Sequence, residues 1–160
     1  MASEEPQLPN PRVGVAAVVF NDQGQVLIGK RKGSHGAGTL QFPGGHLEHG
    51  EEPLDCAVRE MLEETGLDVR AVRLVTVTND VFVGDLKHYI TLFALCTMED
   101  PSAEPNITEP EKCEMWAWWD WERLFGGRET GKVEDVPLFL PVANLLKQFG
   151  NVKELKEKFQ

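Results

Sequence analysis

Fourteen residues, Pro53 to Gly66, constrain this chain more than any others. Proline suits the first helical position, where no amide hydrogen is needed, and Gly66 suits the C-terminal cap. Between them Leu54, Ala57, Val58, Met61 and Thr65 recur at helical spacing and form one apolar stripe. A helix of this kind must lay that stripe on a core layer. It also concentrates acid: Glu48, Glu51, Glu52, Asp55, Glu60, Glu63 and Glu64 fall within 17 residues, with Arg59 the permanent cation among them.

The receiving layer is legible as strands. Val13 to Phe20 is nearly continuous apolar and β-branched sequence, the pattern of a strand buried on both faces. The turn signal Asn21-Asp22-Gln23-Gly24 and a second strand, Gln25 to Lys30, predict a hairpin. Leu74 to Asp80, His88 to Cys96 and Met115 to Trp119 read as further strands, and Val142 to Phe149 as a final amphipathic helix. Strands and helices mix without regular βαβ alternation, which predicts an α/β protein with a mixed sheet and helices on its faces. At 160 residues the chain is one domain. Residues 1–11 read as a loose tail, 12–150 as the domain with a polar, glycine-rich stretch at 126–136, and 151–160 as a helical or frayed tail.

A net charge of −10 argues against binding a nucleic acid polymer, though not against a small phosphorylated substrate brought in by a cation. The start of the chain lacks the apolar core of a secretory signal, and no run of 18 apolar residues suggests a membrane span. The three cysteines, Cys56, Cys96 and Cys113, form no disulfide or zinc pattern. A cytoplasmic protein is the expectation.

On a helical wheel of about 100° per residue, Glu64 lies roughly 40° to one side of Glu60 and Glu63 roughly 60° to the other. Like charges at that spacing destabilise a helix, and a divalent cation would turn the repulsion into ligation. A solvated acidic face would carry the same E-x-x-E-E string. Two neighbours favour ligation: Gly44-Gly45 permits close approach of backbone to a ligand, and Arg59 stands four residues before Glu63 and can orient it.

Gly45, Glu51, Arg59, Glu60, Met61, Glu63, Glu64, Gly66 and Leu67 match the Nudix box, Gx5Ex7REUxEExGU with U a bulky aliphatic, at every defined position. The chain resembles a Nudix hydrolase. Gly29 to Ser34, Leu40 to Glu48, and Glu109 to Glu114 followed by Trp116 and Trp118 are similar to the MutT-type subgroup, so that the likeness covers roughly residues 12–124. It implies an α/β/α sandwich with a mixed β-sheet between helices. It also implies a homodimer and a cofactor of Mg2+, with Mn2+ as substitute.

By motif position, the resemblance makes Glu60 and Glu64 metal ligands with the Gly44 carbonyl, and Glu63 a further ligand or the group that orients the attacking water. Arg59 supports Glu63. Glu111, on the acidic loop, is a candidate outer ligand or base. Gln41 is placed to meet a base edge, Phe42, Leu138 and Phe139 to wall the pocket, and Lys30 with Gly44 and Gly45 to meet phosphates. The implied activity is hydrolysis of a nucleoside triphosphate, including oxidised forms such as 8-oxo-dGTP, to the monophosphate and pyrophosphate. Two rivals stand: a hydrolase of a non-nucleotide diphosphate such as an isoprenyl diphosphate, and an inactive nucleotide-binding domain.

Overall fold

The computed structural model describes residue 5 and residues 7–160; residues 1–4 and 6, inside the tail expected over 1–11, lie outside the described part. The chain runs β1 (Arg12–Val19), β2 (Val26–Arg31), β3 (Leu40–Gln41), β4 (Gly44–His46), α1 (Pro53–Thr65), β5 (Val69–Phe82), β6 (Lys87–Met98), β7 (Cys113–Trp119), α2 (Trp121–Phe125), β8 (Lys132–Val133), β9 (Val136–Pro137), α3 (Leu140–Lys147) and α4 (Val152–Lys158).

Strand β1 organises the molecule. Its residues alternate between two faces. Val15, Ala17 and Val19 join Cys56, Ala57 and Met61 of α1 in one buried cluster. Ala16 and Val18 join Leu145, Leu146 and Leu155 of α3 and α4 in another. Helices therefore cover both faces, which makes the α/β/α sandwich. Met61 has no exposed surface, and burying such a side chain contributes about 1.5–3 kcal/mol. Helix α1 ends where the sequence says it should, at Gly66 with φ 73°, whose amide closes on the Leu62 carbonyl.

A four-stranded sheet has the order β4-β1-β6-β5, and a three-stranded one the order β3-β2-β7. The larger sheet is mixed: β1 is parallel to β6 and antiparallel to β4. The expected β1–β2 hairpin does not form. The two strands enter different sheets and keep a single bridge, Phe20 to Val26. Asn21 still makes the turn, its Oδ1 accepting from the amides of Gln23 and Gln25, so the local signal is real but the ladder partners are distant.

The stretch 126–136 folds partly into the β8–β9 hairpin. Its two linking residues, Glu134 and Asp135, have φ of 50° and 67°, the positive values that a two-residue turn demands. Helix α3 is not the last one. Asn151 caps α4 by accepting from the Glu154 amide, and Leu155 and Phe159 are buried in the core. No helix of the described residues is long and apolar enough to cross a membrane.

Candidate active site

The register of β1 with β4 pairs Ala16 with Gly44, Val15 with Gly45 and Gly14 with His46. This lays the Gly44-Gly45 step along α1. A side chain at Gly45 would have its Cβ 2.3 Å from Glu60 Oε1, and one at Gly44 would stand 2.1 Å from the Val15 carbonyl. Backbone thus rules out a side chain at Gly44, whereas one at Gly45 would displace the Glu60 carboxylate.

Glu60 and Glu64 line a cleft of about 350 Å³ together with Gly44, Gly45 and His46. The Gly44 amide donates to Glu64 Oε1 at 3.3 Å. Burial first, then the Glu60 charge, pushes the Glu64 carboxyl up to about 8. Burial also raises Glu60, against the pull of Arg59. Two half-buried carboxyls side by side, neither able to ionise freely, form a pair that a divalent cation relieves. Among the described residues no group of three or more His, Cys, Asp or Glu side chains converges as a cage. Mg2+ does not require one, since it takes one or two carboxylates and fills its remaining positions with water and substrate phosphate. The donor set present fits that ion.

Arg59 is the keystone beneath the pair. Its Nε donates to Glu51 Oε2 at 2.7 Å and its Nη2 to Glu51 Oε1 at 2.9 Å, a bidentate contact. Its Nη1 donates to Glu60 Oε1 at 2.9 Å and to Glu63 Oε2 at 3.2 Å. The guanidinium holds Glu51 down to about 2. Arg59 therefore orients Glu60 more closely than the Glu63 expected from the sequence. Glu63 itself turns to Arg59 with its side chain 53% exposed, and is not part of the cleft wall.

The opposite end of the cleft is aromatic. Gln41, Phe42 and Phe139 line it with Arg31, His35, Phe82 and Tyr89. Gln41 Oε1 accepts from Arg31 Nη1 at 2.6 Å, and the Arg31 guanidinium lies 4.1 Å from the Phe139 ring centroid. Phe42 is mostly spent on packing, edge-on to Phe93 and Trp121.

Three sequence expectations fail here. Lys30 lies outside the cleft and faces Glu114 at 3.7 Å; a bulge between Lys30 and Arg31 resets the strand, and Arg31 is the residue that enters. Leu138 is core, bridged to Leu40. Glu111 is exposed and outside the cleft. The loop acid whose charge reaches Glu64 is Glu109, which pairs with Lys112 at 2.9 Å.

Sequence reasoning missed Lys112, His46 and Tyr89. Lys112 lines the cleft, and the charges of Glu109, Glu60 and Glu64 raise its ammonium. His46 stacks on Tyr89 with ring centroids 5.4 Å apart and planes 2° apart. A signal existed for His46: it lies two residues after Gly44 on one strand, hence on the same face. No signal in the sequence brings Tyr89 to it.

A helix bearing an acidic triplet, a glycine pair against it, and an α/β/α frame are the features that a Nudix fold combines. A family model described as NUDIX domain matches residues 10–140. The chain belongs to the Nudix hydrolase family. An RNA pyrophosphohydrolase of Bartonella bacilliformis is 48% identical over 80 residues, 46% of this chain and 46% of that protein. An RNA pyrophosphohydrolase of Photorhabdus laumondii is 33% identical over 125 residues, 68% of this chain and 67% of that one. Nudix hydrolase 2 of Arabidopsis thaliana is 35% identical over 115 residues, 69% of this chain and 40% of that protein. The chain thus spans less than half the length of the Bartonella and Arabidopsis relatives. The crystal structure of a MutT NUDIX hydrolase from Burkholderia pseudomallei superposes with a TM-score of 0.69 at 28% identity, over 88% of this chain and 98% of that one.

Proposed function

We propose that the protein is a Mg2+-dependent pyrophosphohydrolase that cleaves nucleoside triphosphates, oxidised dNTPs such as 8-oxo-dGTP included, to the monophosphate and pyrophosphate. The observation that carries this reading is the continuity of one cleft from the Glu60–Glu64 pair to the Arg31–Gln41–Phe139 end. The first end suits a cation-bound diphosphate and the second a polar, planar group.

In this reading Glu60 and Glu64 hold the metal, with Gly44 beside them, and Arg59 fixes the Glu60 carboxylate. Glu63, one turn along the same helix from Glu60, orients the attacking water. Lys112 meets phosphate oxygens, and Gly44 and Gly45, without side chains, leave room for their approach. Bound there, Mg2+ would neutralise phosphoryl charge and make bound water more acidic. Arg31 and Gln41 offer hydrogen bonds to a base, and Phe139 with Tyr89 supplies apolar walls. A prenyl tail would leave those polar groups unpaired, which disfavours the isoprenyl reading.

The names of the Bartonella and Photorhabdus relatives support a second reading, the triphosphate at the 5′ end of RNA, which presents the same group to the same site. Profiling pyrophosphate release over dNTPs, 8-oxo-dGTP, prenyl diphosphates and a 5′-triphosphorylated RNA oligomer decides between them. Mononucleotide turnover at least about tenfold above the RNA oligomer in kcat/KM supports the proposal; the reverse order replaces it with the second reading. Assembly as a cytoplasmic homodimer belongs to the same proposal. Its support is the edge strand β5, whose Val72, Leu74, Val77 and Val81 are exposed, an edge of the kind that a second copy covers. Sedimentation at micromolar concentration tests it.

A further inference from the structure

The last carbonyls of an α-helix have no partner further along it, so the end of α1 shows what holds the acidic helix in place. The Leu62 carbonyl accepts from the Gly66 amide at 2.9 Å. The next three accept from one distant segment: Glu63 from the Thr108 hydroxyl, Glu64 from Trp116 Nε1 at 3.2 Å, and Thr65 from the Asn106 amide at 2.8 Å. This strap, residues 106–116, also carries Lys112, which lines the cleft.

Trp116 differs from the other two donors in being fixed by the sheets. It belongs to β7 and lies opposite Gly29 of β2. Its ring covers that glycine so closely that a Cβ there would strike Cζ3 and Cε3. It also packs against the buried cluster beneath α1, which includes Met61 and Leu67. An indole has one donor, and here it is aimed at the helix. The cleft is shared between the two sheets. Glu60 and Glu64 stand on α1, which packs on the larger sheet. Arg31 and Gln41 stand on β2 and β3 of the smaller one, and Lys112 just ahead of β7. Through Trp116 the smaller sheet grips the acidic helix, and it does so at a residue whose carboxyl faces the cleft.

We propose that Trp116 is a positioning residue for the metal site: its indole N–H, held over Gly29, fixes the main chain of Glu64 and so the approach of the Glu64 carboxylate to a divalent cation. The proposal rests on the reading of Glu64 as a metal ligand given above. Mg2+ demands near-ideal octahedral geometry at about 2.0–2.1 Å, while a glutamate carboxylate hangs on several rotatable bonds. A main chain tied at the carbonyl removes freedom that the ligand would otherwise lose on binding. Groups that hold a metal ligand in place are typically worth about 10–100-fold in affinity, and one acting through the main chain should fall at or below the lower end. The fold depends on this bond less, because α1 keeps its other end contacts and its apolar stripe.

Binding of Mn2+ to the full chain without substrate, read from the paramagnetic resonance of the free ion, tests this apart from turnover. Trp116→Phe keeps a ring over Gly29 but has no N–H. Gly29→Ala keeps the N–H and displaces the ring. Trp118→Phe is the control: it removes an indole donor two residues along the same strand, where the partner is the exposed Glu104 carboxylate at 2.9 Å. Expected is Mn2+ binding at least about fivefold weaker in Trp116→Phe and in Gly29→Ala, and within about twofold of the parent in Trp118→Phe. At limiting Mg2+ the first two variants should hydrolyse nucleotide more slowly by a similar factor, and saturating Mg2+ should restore most of kcat, because the ligand is present and only its placement is loosened. A Trp116→Phe that melts lower in chelator yet binds Mn2+ as the parent does would make the indole a packing group only, and the proposal falls. It falls likewise if Trp118→Phe weakens metal binding as much. Should Trp116→Phe not fold, Gly29→Ala decides by the same criterion. If the parent binds no Mn2+, the reading of Glu64 as a ligand has itself failed and takes the proposal with it, an outcome distinct from the other two.

Discussion

Replacing Glu64 by glutamine should make the metal-free protein more stable while nearly abolishing its activity. The Glu64 carboxyl is half-buried, accepts from the Gly44 amide, and is pushed up to about 8 from an ordinary 4.5. The folded state therefore keeps a proton that the unfolded chain loses above 4.5. Stability from this group is complete below pH 4.5 and is lost as pH rises through 8. Between pH 5 and pH 8 that imbalance spans three units, on the order of 4 kcal/mol at 1.36 per unit. Glutamine has no proton to lose. It keeps the acceptor for Gly44 and adds a donor toward Glu60. In chelator, the melting temperature of Glu64→Gln should thus rise relative to the parent as pH increases from 5 to 8. At 2–4 °C per kcal/mol for a chain of this size, the gap should widen by roughly 10 °C. Adding Mg2+ should stabilise the parent strongly and the variant little, because a ligand stabilises only the state that binds it. The kcat should fall at least about a hundredfold, 2.7 kcal/mol of barrier. Calorimetry across pH, with and without metal, reads every part of this. A gap that stays constant from pH 5 to pH 8 would refute the claim that burial beside Glu60 holds the proton on Glu64.

The other predictions are shorter. Gly45→Ala should fold but lower kcat at least about tenfold, because the flexible Glu60 carboxylate must leave its place; Gly44→Ala, blocked by the Val15 carbonyl, should lower the melting temperature instead. Circular dichroism melts and initial rates on the pair separate the two effects. Gln41→Leu should lower kcat/KM for the best nucleotide at least about tenfold, since it removes a base partner and strips Arg31 Nη1 of its acceptor. An unchanged value takes Gln41 out of base recognition. Leu155→Ala should cost about 2–5 kcal/mol in a denaturant titration, because α4 is seated in the core rather than trailing behind it.

What the sequence made legible was local. Helix α1 announced itself through Pro53, Gly66 and the stripe ending in Met61, and its acids fell where a helix of fixed pitch must put them. The strands were found for the same reason, by pattern within each segment. Pairing was harder. Asn21 to Gly24 does make a turn, but β1 takes its ladder partners from β4 and β6, and no local residue says so. Facing was harder still. Lys30 and Arg31 are adjacent cations, and the bulge that brings the second into the cleft is a property of the β2–β7 register. Among loop acids, Glu109 and Glu111 are alike in sequence; the turn that ties the Lys112 amide to the Glu109 carbonyl selects between them. His35, with its partner 50 residues away in Asp85, shows why convergent groups stay hidden: each half reads as an ordinary surface residue alone.

The parallel pairing of β1 with β6 has a kinetic consequence. Arg12 lies opposite Tyr89, so the two strands close a loop of about 77 residues, whose entropy is spent before any reward. The glycine pair and the acidic helix lie within some twenty residues of each other and can collect early. The aromatic end cannot, because Phe82 and Tyr89 arrive only with that closure. Refolding should therefore pass its main barrier between an acidic half that is ready and an aromatic half that is not. Metal present from the start should then speed folding more than it slows unfolding, because its site is formed before the barrier is crossed.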